Sequence, residues 1–307
     1  MNNTFTPEEL NSLRFYQGDI SRYQIVSDET TKRYTSPFYT SKGAYHILNL
    51  LLYPGINNEL ARICHEKKKL PIHLINHLDE LMYVYRNIFI AACRYQRIHE
   101  GGGTIHAFRK DRMQSMEMLE HQSTFAFTSC SLRDDTEGYF LKKDGILLLE
   151  FEIPDSVPYI IMNDVLGDNP YQYQEELLLM PFTMFRKEPL QFTEKELAYR
   201  DIHNKPPEKK YLLRPIQLAD ALFLQEVGKD TSADVRYDGI QNTDSQFIYN
   251  EDEIAHAVRF LSRLKDAAGL EGKAEEVLRY CRWKEAVRRE VKRMMGSICA
   301  EFDMGEQ

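Results

Sequence analysis

Three sets of polar residues lie beside strand-like sequence, and their order along the chain is arginine, serine, acid. Arg109 ends a run of alternating character, and Ser129 follows a segment rich in aromatic residues. Glu175 and Glu176 directly precede the apolar run Leu177–Met180. Because side chains alternate between the two faces of a strand, one of these acids must face the buried side, where an unpaired carboxylate is costly. A carboxylate in that position, together with a guanidinium that can bind oxyanions, indicates a functional site.

Other common sites find little support in the sequence. No Gly-x-Gly-x-x-Gly follows a strand and no Walker loop is present, and Gly101–Gly103 precedes a strand, as a connector would. His73 and His77 have the i,i+4 spacing of zinc ligands, but no glutamate follows the first histidine and no third ligand is evident. No serine occurs in a Gly-x-Ser-x-Gly elbow. We therefore expect neither a metal site nor a hydrolase triad.

Three short motifs together resemble one family of enzymes. They are Phe108-Arg109, then Phe127-Thr128-Ser129-Cys130-Ser131, then Gln174-Glu175-Glu176 running into Leu177-Leu178-Leu179-Met180-Pro181-Phe182-Thr183. Over residues 40–216 the chain resembles the mono-ADP-ribosyltransferases with an Arg–Ser–Glu triad, which include C3-like exoenzymes, arginine-specific toxins and vertebrate ecto-transferases. The helical segment that contains Tyr45 and Asn49 is also similar to the N-terminal segment of that family.

The chain departs from the family pattern in two of these motifs. Lys110 takes the place of the glycine that follows the arginine, so Arg112 and Arg86 remain alternatives to Arg109 as the family arginine. Cys130 replaces the middle threonine of Ser-Thr-Ser, which is a modest change in size and polarity.

The resemblance implies that NAD is a substrate whose ribose becomes positively charged as nicotinamide leaves. Glu176 would stabilise that ribose, Arg109 would hold phosphate or ribose oxygens, and Ser129 would orient Glu176. Glu175 is the alternative acid, but Glu176 places Gln174 two positions earlier, as in C3-like members. Phe140 would stack on nicotinamide and Lys143 would face the pyrophosphate. The remaining predicted NAD contact is Phe127.

In this family, the residue two positions before the catalytic acid contacts the acceptor. Glutamate there accompanies arginine acceptors, whereas glutamine accompanies amide and, in some members, nucleobase acceptors, because an amide both donates and accepts. Gln174 therefore points away from arginine, and Tyr171 is a candidate aromatic contact for the acceptor. The resemblance implies a toxin, effector or defence enzyme that modifies a macromolecule, with protein favoured over nucleic acid.

Three alternatives remain open from the sequence. The transferase fold could be a catalytically inactive binding module. The same NAD pocket could use water as acceptor, which would make the protein an NAD glycohydrolase. The acceptor could also be a nucleobase of RNA or DNA.

The composition is that of an ordinary globular protein. The 307 residues are 43% hydrophobic and 28% charged, which excludes wholesale disorder and a fibrous chain. No apolar run approaches the roughly 18 residues of a membrane helix, and the N-terminus lacks the basic and apolar regions of a signal peptide. Five scattered cysteines without Cys-x-x-Cys spacing fit a reducing compartment. We therefore expect a cytoplasmic protein, or one delivered into a host cell without a signal peptide, and no membrane partner.

Helical signals dominate both ends of the chain and strand signals dominate its middle. Thr6-Pro7-Glu8-Glu9 predicts a helix start, with a threonine N-cap, proline at the first helical position and acids in the first turn. Further helices are predicted over 41–52, 72–98, 254–264 and 274–295. Strands are predicted over 104–109, 123–131, 146–153, 159–162, 177–185 and 210–216.

These signals predict an α+β fold in three parts. N-terminal helices (1–100) pack on a β-rich, NAD-binding core (101–220), and a C-terminal helical extension (221–307) follows. The family resemblance implies that the core is a split mixed sheet of two small halves.

The last predicted helix has an excess of positive charge in a chain whose net charge is −8. Residues 273–293 carry eight basic and four acidic side chains. The ordinary interpretation is a solvated helix face with i,i+4 pairs. The alternative is a docking surface around Arg282–Arg293 for a target, a nucleic acid or an inhibitor.

Overall fold

The computed structural model describes residues 4–18, 45–53, 78–111, 116–133, 147–167, 172–194, 196–197, 208–218 and 274–303. Over these residues the protein combines helices at both ends of the chain with a seven-stranded mixed sheet in its middle. The predicted α+β fold class is therefore confirmed.

The helices are α1 (Pro7–Gln17), α2 (Tyr45–Leu52), α3 (Leu78–Ile98), α4 (Met116–His121), α5 (Met162–Leu166) and α6 (Ala274–Asp303). The first helix, α1, begins where the sequence predicts. Thr6 Oγ1 accepts the N–H of Glu9 at 3.3 Å, and the Glu9 carboxylate accepts the N–H of Thr6 at 3.0 Å, which completes a capping box. Gly18 ends the helix in the left-handed conformation, with φ of 86°. The predicted helix over 254–264 lies outside the described residues.

The strands are β1 (Thr104–Asp111), β2 (Thr128–Ser131), β3 (Leu147–Pro154), β4 (Tyr159–Ile161), β5 (Glu176–Leu179), β6 (Thr183–Pro189) and β7 (Lys209–Leu218). Their order in the sheet is β4-β5-β2-β1-β3-β7-β6. The β3–β7 pair is parallel, and the remaining neighbours in this order are antiparallel. The sheet is therefore mixed, as predicted.

The sheet consists of two groups of strands that meet at a narrow junction. Strand β1 pairs with β3 along its whole length, from Thr104 opposite Pro154 to Asp111 opposite Leu147. Its pairing with β2, in contrast, is through Phe108 opposite Ser131. The group β4-β5-β2 is thus joined to the group β1-β3-β7-β6 over a short distance, which agrees with the predicted split.

The prediction of one strand over 177–185 is wrong, because the chain turns between β5 and β6. Pro181 has no N–H to donate to a ladder, and Phe182 adopts φ of 61°, which a strand cannot contain. Thr124 holds this turn, since its main-chain oxygen accepts from Phe182 N at 2.7 Å and its Oγ1 accepts from Thr183 N at 2.9 Å. Thr124 belongs to the predicted strand over 123–131, but in the structure it precedes β2 and braces the turn instead.

The C-terminal helix packs against α2 and α3 and contributes to the core. Arg288 is 2% exposed, and its Nε donates to the carbonyl oxygen of Leu52, the last residue of α2, at 2.7 Å. Lys292 is also buried, with its Nζ 4.6 Å from the centroid of the Phe182 ring. The helix therefore braces both the end of α2 and the turn after β5.

This packing places the basic residues of α6 in two different environments, and a docking surface formed by the exposed ones stays a prediction. Lys284, Arg288 and Lys292 are buried, whereas Arg289 and Arg293 are exposed. Long basic side chains can lie inside because their alkyl stems pack against apolar neighbours while the charged ends find a carbonyl oxygen or a ring. The net positive charge counted along the sequence is thus divided between the interior and the surface.

Candidate active site

Glu176 opens β5 and lies directly opposite Ser131 of β2. Opposed residues of an antiparallel pair place their side chains on the same face, so Glu176 shares a face with Ser131 and with Ser129, two residues along β2. Glu176 is 7% exposed. Glu175 is half-buried with φ of 44°, and its Oε1 pairs with Arg133 Nη2 at 2.7 Å. The two acids thus differ in environment: Glu176 is buried at the start of β5, whereas Glu175 lies just before the strand in the left-handed conformation.

Arg109 lies on β1, and its side chain reaches across to β2. Its Nε donates to Asp111 Oδ2 at 2.6 Å, and its Nη1 donates to the main-chain oxygen of Ser129, also at 2.6 Å. Burial favours the neutral guanidine, but Asp111, Cys130 and Tyr53 together outweigh this effect and raise the pKa of Arg109. A permanent positive charge therefore lies at the junction of β1 and β2, with further N–H groups that suit an oxyanion.

The end of α1 contacts the buried carboxylate. Gln17 Nε2 donates to Glu176 Oε2 at 3.0 Å. The neighbouring Tyr16 is buried, and its hydroxyl accepts from Asn49 Nδ2 at 3.5 Å. Burial, and then the nearby Glu176 carboxylate, raise the pKa of the Tyr16 hydroxyl, which keeps this group neutral. The hydrogen bond expected from Ser129 to Glu176 stays a prediction.

Cys130 occupies a buried position on β2, between Ser129 and Ser131. Its side chain is inaccessible, and burial raises the pKa of its thiol to about 12. The charge of Arg109 lowers this pKa, whereas those of Asp111 and Glu176 raise it. The thiol of Cys130 is therefore neutral in the folded protein.

A short 3-10 turn, Gln172–Gln174, leads into β5 and forms the rim beside Glu176. Ser131 Oγ donates to the main-chain oxygen of Gln174 at 3.2 Å, which ties the turn to β2. The side-chain Nε2 of Gln174 donates to the hydroxyl of Tyr173 at 3.2 Å, and Tyr173 is 58% exposed. Tyr171 lies outside the described residues, so Tyr173 is the exposed aromatic residue that the structure shows in this turn.

Phe127, which the sequence assigns to the NAD site, lies in an aromatic cluster beneath the helices. It is 3% exposed and makes an edge contact with Tyr16 at 5.2 Å between ring centroids. Tyr85 and Phe89 of α3 flank the same ring at 6.1 and 5.8 Å. Phe127 therefore supports β2 from the core, and its contact with NAD stays a prediction.

Several other predicted residues lie outside the described ranges: Phe140, Lys143, Arg112, His73 and His77. Arg86, the other alternative for the family arginine, is exposed on α3. There it lines a groove of about 780 Å³ between α3 and α6, together with Trp283 and Met294. Of the two described candidates, Arg109 and not Arg86 contacts Ser129, and its identity as the family arginine stays a prediction.

The sequence interpretation missed two residues that contact the predicted site. Asp111 lies two positions after Arg109 on β1, so the two side chains share a face of the strand. Their opposite charges at this spacing could have predicted the ion pair from the sequence. Gln17 precedes its partner Glu176 by 159 residues, and no local pattern in the sequence connects them.

Within the described ranges, no group of three or more His, Cys, Asp and Glu side chains could hold a metal ion. No described helix combines the length and the apolar character needed to cross a bilayer.

Comparisons with known proteins find similarity in solved structures. An ADP-ribosyltransferase from Clostridium botulinum aligns over 69% of this chain and 88% of its own, with 10% identity and a TM-score of 0.38. The C3 exoenzyme of Clostridium limosum aligns over 69% and 86%, with 10% identity and a TM-score of 0.37. An ADP-ribosyltransferase toxin from Paenibacillus larvae aligns over 56% and 84%, with 14% identity and a TM-score of 0.30. No protein-family model and no curated protein matches the chain.

Proposed function

We propose that the protein is a mono-ADP-ribosyltransferase that transfers ADP-ribose from NAD to a macromolecular acceptor other than arginine, with protein favoured. One observation carries the proposal: Arg109, Ser129 and Glu176 lie on the neighbouring strands β1, β2 and β5, although they are far apart in the sequence. A buried carboxylate and a fixed guanidinium are the groups that cleavage of the NAD glycosidic bond requires.

The described residues offer groups that suit NAD as a substrate. The guanidinium of Arg109 binds a phosphate or ribose oxygen, because its planar fork matches oxyanions. The Glu176 carboxylate accepts a ribose hydroxyl, and Ser129, on the same face, helps to orient it. Phe140 and Lys143 remain proposed contacts of nicotinamide and pyrophosphate.

The chemistry exchanges one bond for another at the anomeric carbon of the ribose. The bond from this carbon to nicotinamide breaks, and nicotinamide leaves with the electron pair as a neutral molecule. The acceptor heteroatom forms the new bond and loses its proton to water. Positive charge develops on the ribose in between, and the carboxylate of Glu176 stabilises it because it is already in place. Gln174, at the rim, contacts the acceptor through an amide that both donates and accepts.

The proposal is tested with the purified full chain, labelled NAD and cell lysate. Glu176→Gln keeps the shape of the side chain and removes its charge, so labelling should fall on the order of 10²–10³-fold. Glu175→Gln is the matched control, because this neighbouring acid pairs with Arg133 outside the buried site. Equal labelling by wild type and Glu176→Gln would contradict the proposal.

The fate of the label identifies the acceptor. Label that protease removes supports a protein acceptor, whereas label that nuclease removes supports a nucleobase. Free nicotinamide without labelled macromolecule would show that the protein is an NAD glycohydrolase and not a transferase. The absence of NAD turnover would favour an inactive binding module.

A further inference from the structure

We propose that Gln17 is the positioning residue that sets the orientation of the Glu176 carboxylate, a role that rests on the proposed function. Gln17 is the last residue of α1 and is 8% exposed, and Glu176 is 7% exposed. The 3.0 Å hydrogen bond from Gln17 Nε2 to Glu176 Oε2 is therefore a buried contact between a helix and the sheet.

The carboxylate determines which way the Gln17 amide faces. An ionised carboxylate only accepts hydrogen bonds, so the NH₂ group must point toward Glu176 and the carbonyl oxygen must point away. Among the described residues, no hydrogen-bond partner exists for Gln17 Oε1, although this atom is buried. An unsatisfied buried acceptor is unfavourable for folding, and an exception of this kind calls for a functional reason. Positioning of Glu176 supplies that reason.

The end of α1 is a rigid support for this contact. The capping box of Thr6 and Glu9 fixes the start of the helix, and Glu9 Oε1 also accepts from Arg94 Nη2 of α3 at 3.0 Å. At the other end, the N–H of Gly18 donates to Phe15 O at 3.1 Å and closes the last turn. Gln17 directly precedes this glycine and therefore lies within this closed last turn.

The hydrogen bond from Gln17 engages Oε2 of Glu176 and leaves Oε1 to accept the ribose hydroxyl of the substrate. Loss of the amide would leave the carboxylate free to rotate. A displacement of about 1 Å at a reacting group can reduce the rate on the order of a hundredfold. Because Gln17 acts through Glu176 in this proposal, we expect the effect in kcat and little change in the KM for NAD.

Two substitutions at Gln17 separate positioning from a purely structural role. Gln17→Met keeps the length of the side chain and removes the donor, so kcat for nicotinamide release should fall on the order of a hundredfold. Gln17→Glu places two carboxylates side by side, which share one proton at acid pH and repel each other at alkaline pH. The protonated pair restores a donor, so the activity of Gln17→Glu relative to wild type should rise from about pH 8 to about pH 5. Circular dichroism at each pH shows that both proteins are folded.

Two outcomes would overturn the inference. One is a kcat of Gln17→Met equal to that of the wild type. The other is an activity ratio of Gln17→Glu to wild type that does not change with pH.

A measurement without NAD distinguishes failure of this inference from failure of the proposed function. Gln17→Met and Glu176→Met should each lower the melting temperature, because each leaves a buried polar partner unsatisfied. The double variant should recover at least the wild-type value, since both polar groups leave together. Additive losses would contradict the pairing itself. If the melting temperature of the double variant recovers but the wild-type protein does not turn over NAD, the pairing stands. The proposed function is then rejected and, with it, the catalytic role of the pair.

Discussion

Arg109 Nη1 lies 2.6 Å from the main-chain oxygen of Ser129, and this hydrogen bond joins β1 to β2 at the narrow junction of the sheet. The same guanidinium binds Asp111 through Nε. The residue proposed to hold NAD is therefore also part of the frame that brings the two groups of strands together.

Arg109→Lys should weaken both NAD binding and the fold. An ammonium group lacks the planar fork, so it cannot hold Asp111 and the Ser129 oxygen in the same way. Loss of a hydrogen bond to a charged group costs about 1.5–3 kcal/mol in the free energy of unfolding. Urea unfolding and calorimetric titration with NAD measure the two effects. Arg86→Lys, exposed on α3, is the control and should change neither.

Gln174→Ala should separate acceptor transfer from cleavage of NAD. The main-chain oxygen of Gln174 accepts from Ser131 Oγ, so the turn keeps its anchor when the side chain is removed. We expect labelling of the acceptor to fall, while release of nicotinamide into water continues. Parallel loss of both activities would show that Gln174 acts on NAD instead.

Thr124→Val should destabilise the protein, and Thr124→Ser should not do so to the same extent. Thr124 Oγ1 donates to Met180 O at 3.0 Å and accepts from Thr183 N at 2.9 Å, and the side chain is fully buried. Valine has a similar shape but no hydroxyl, so the Thr183 N–H loses its partner, at about 1–3 kcal/mol of unfolding free energy. Urea unfolding of the two variants side by side provides the measurement. A serine variant as unstable as the valine variant would assign the effect to packing.

The stability of the protein should rise with pH above neutrality because of Lys292. Burial lowers the pKa of this lysine to about 7 in the folded protein, whereas an exposed lysine has a pKa of about 10.4. Between these values the unfolded chain binds more protons than the folded protein, so the free energy of unfolding increases with pH. The ring of Phe182 attracts the charged form and opposes this effect.

Lys292→Met should flatten that dependence and stabilise the protein at neutral pH. Urea unfolding of wild type and variant from about pH 7 to about pH 10 measures how the free energy of unfolding depends on pH. Lys187→Met, which removes an exposed lysine from β6, should follow the wild-type profile. Parallel profiles for wild type and Lys292→Met would contradict the lowered pKa.

Cys130 should resist alkylation in the folded protein. Only the thiolate reacts readily, and burial raises the pKa of this thiol to about 12. Peptide mapping after treatment with iodoacetamide should find Cys130 modified more slowly than the partly exposed Cys299. In urea the two should react at comparable rates. Rapid modification of Cys130 in the native protein would show that β2 opens.

Local patterns predicted most of the elements and one feature of the site. The capping box at Thr6 and Glu9 is an interaction between close neighbours, so the sequence predicts where α1 begins. Strand alternation predicted that one of Glu175 and Glu176 is buried, and Glu176 is, although Glu175 lies before β5 and not within it. It could not predict that the strand after Glu176 would stop so soon, because Phe182 depends on Thr124 to hold its left-handed conformation.

The sequence by itself determined the fold class, the order of the elements and the candidate residues, since these follow from short-range periodicity and from motifs that remain legible along the chain. Only the tertiary structure decided what each long side chain contacts. Gln17 reaches Glu176 across 159 residues, and Arg288 turns inward to the carbonyl of Leu52. Such contacts depend on how α1 and α6 pack against the rest of the protein, and no spacing within the sequence carries that information.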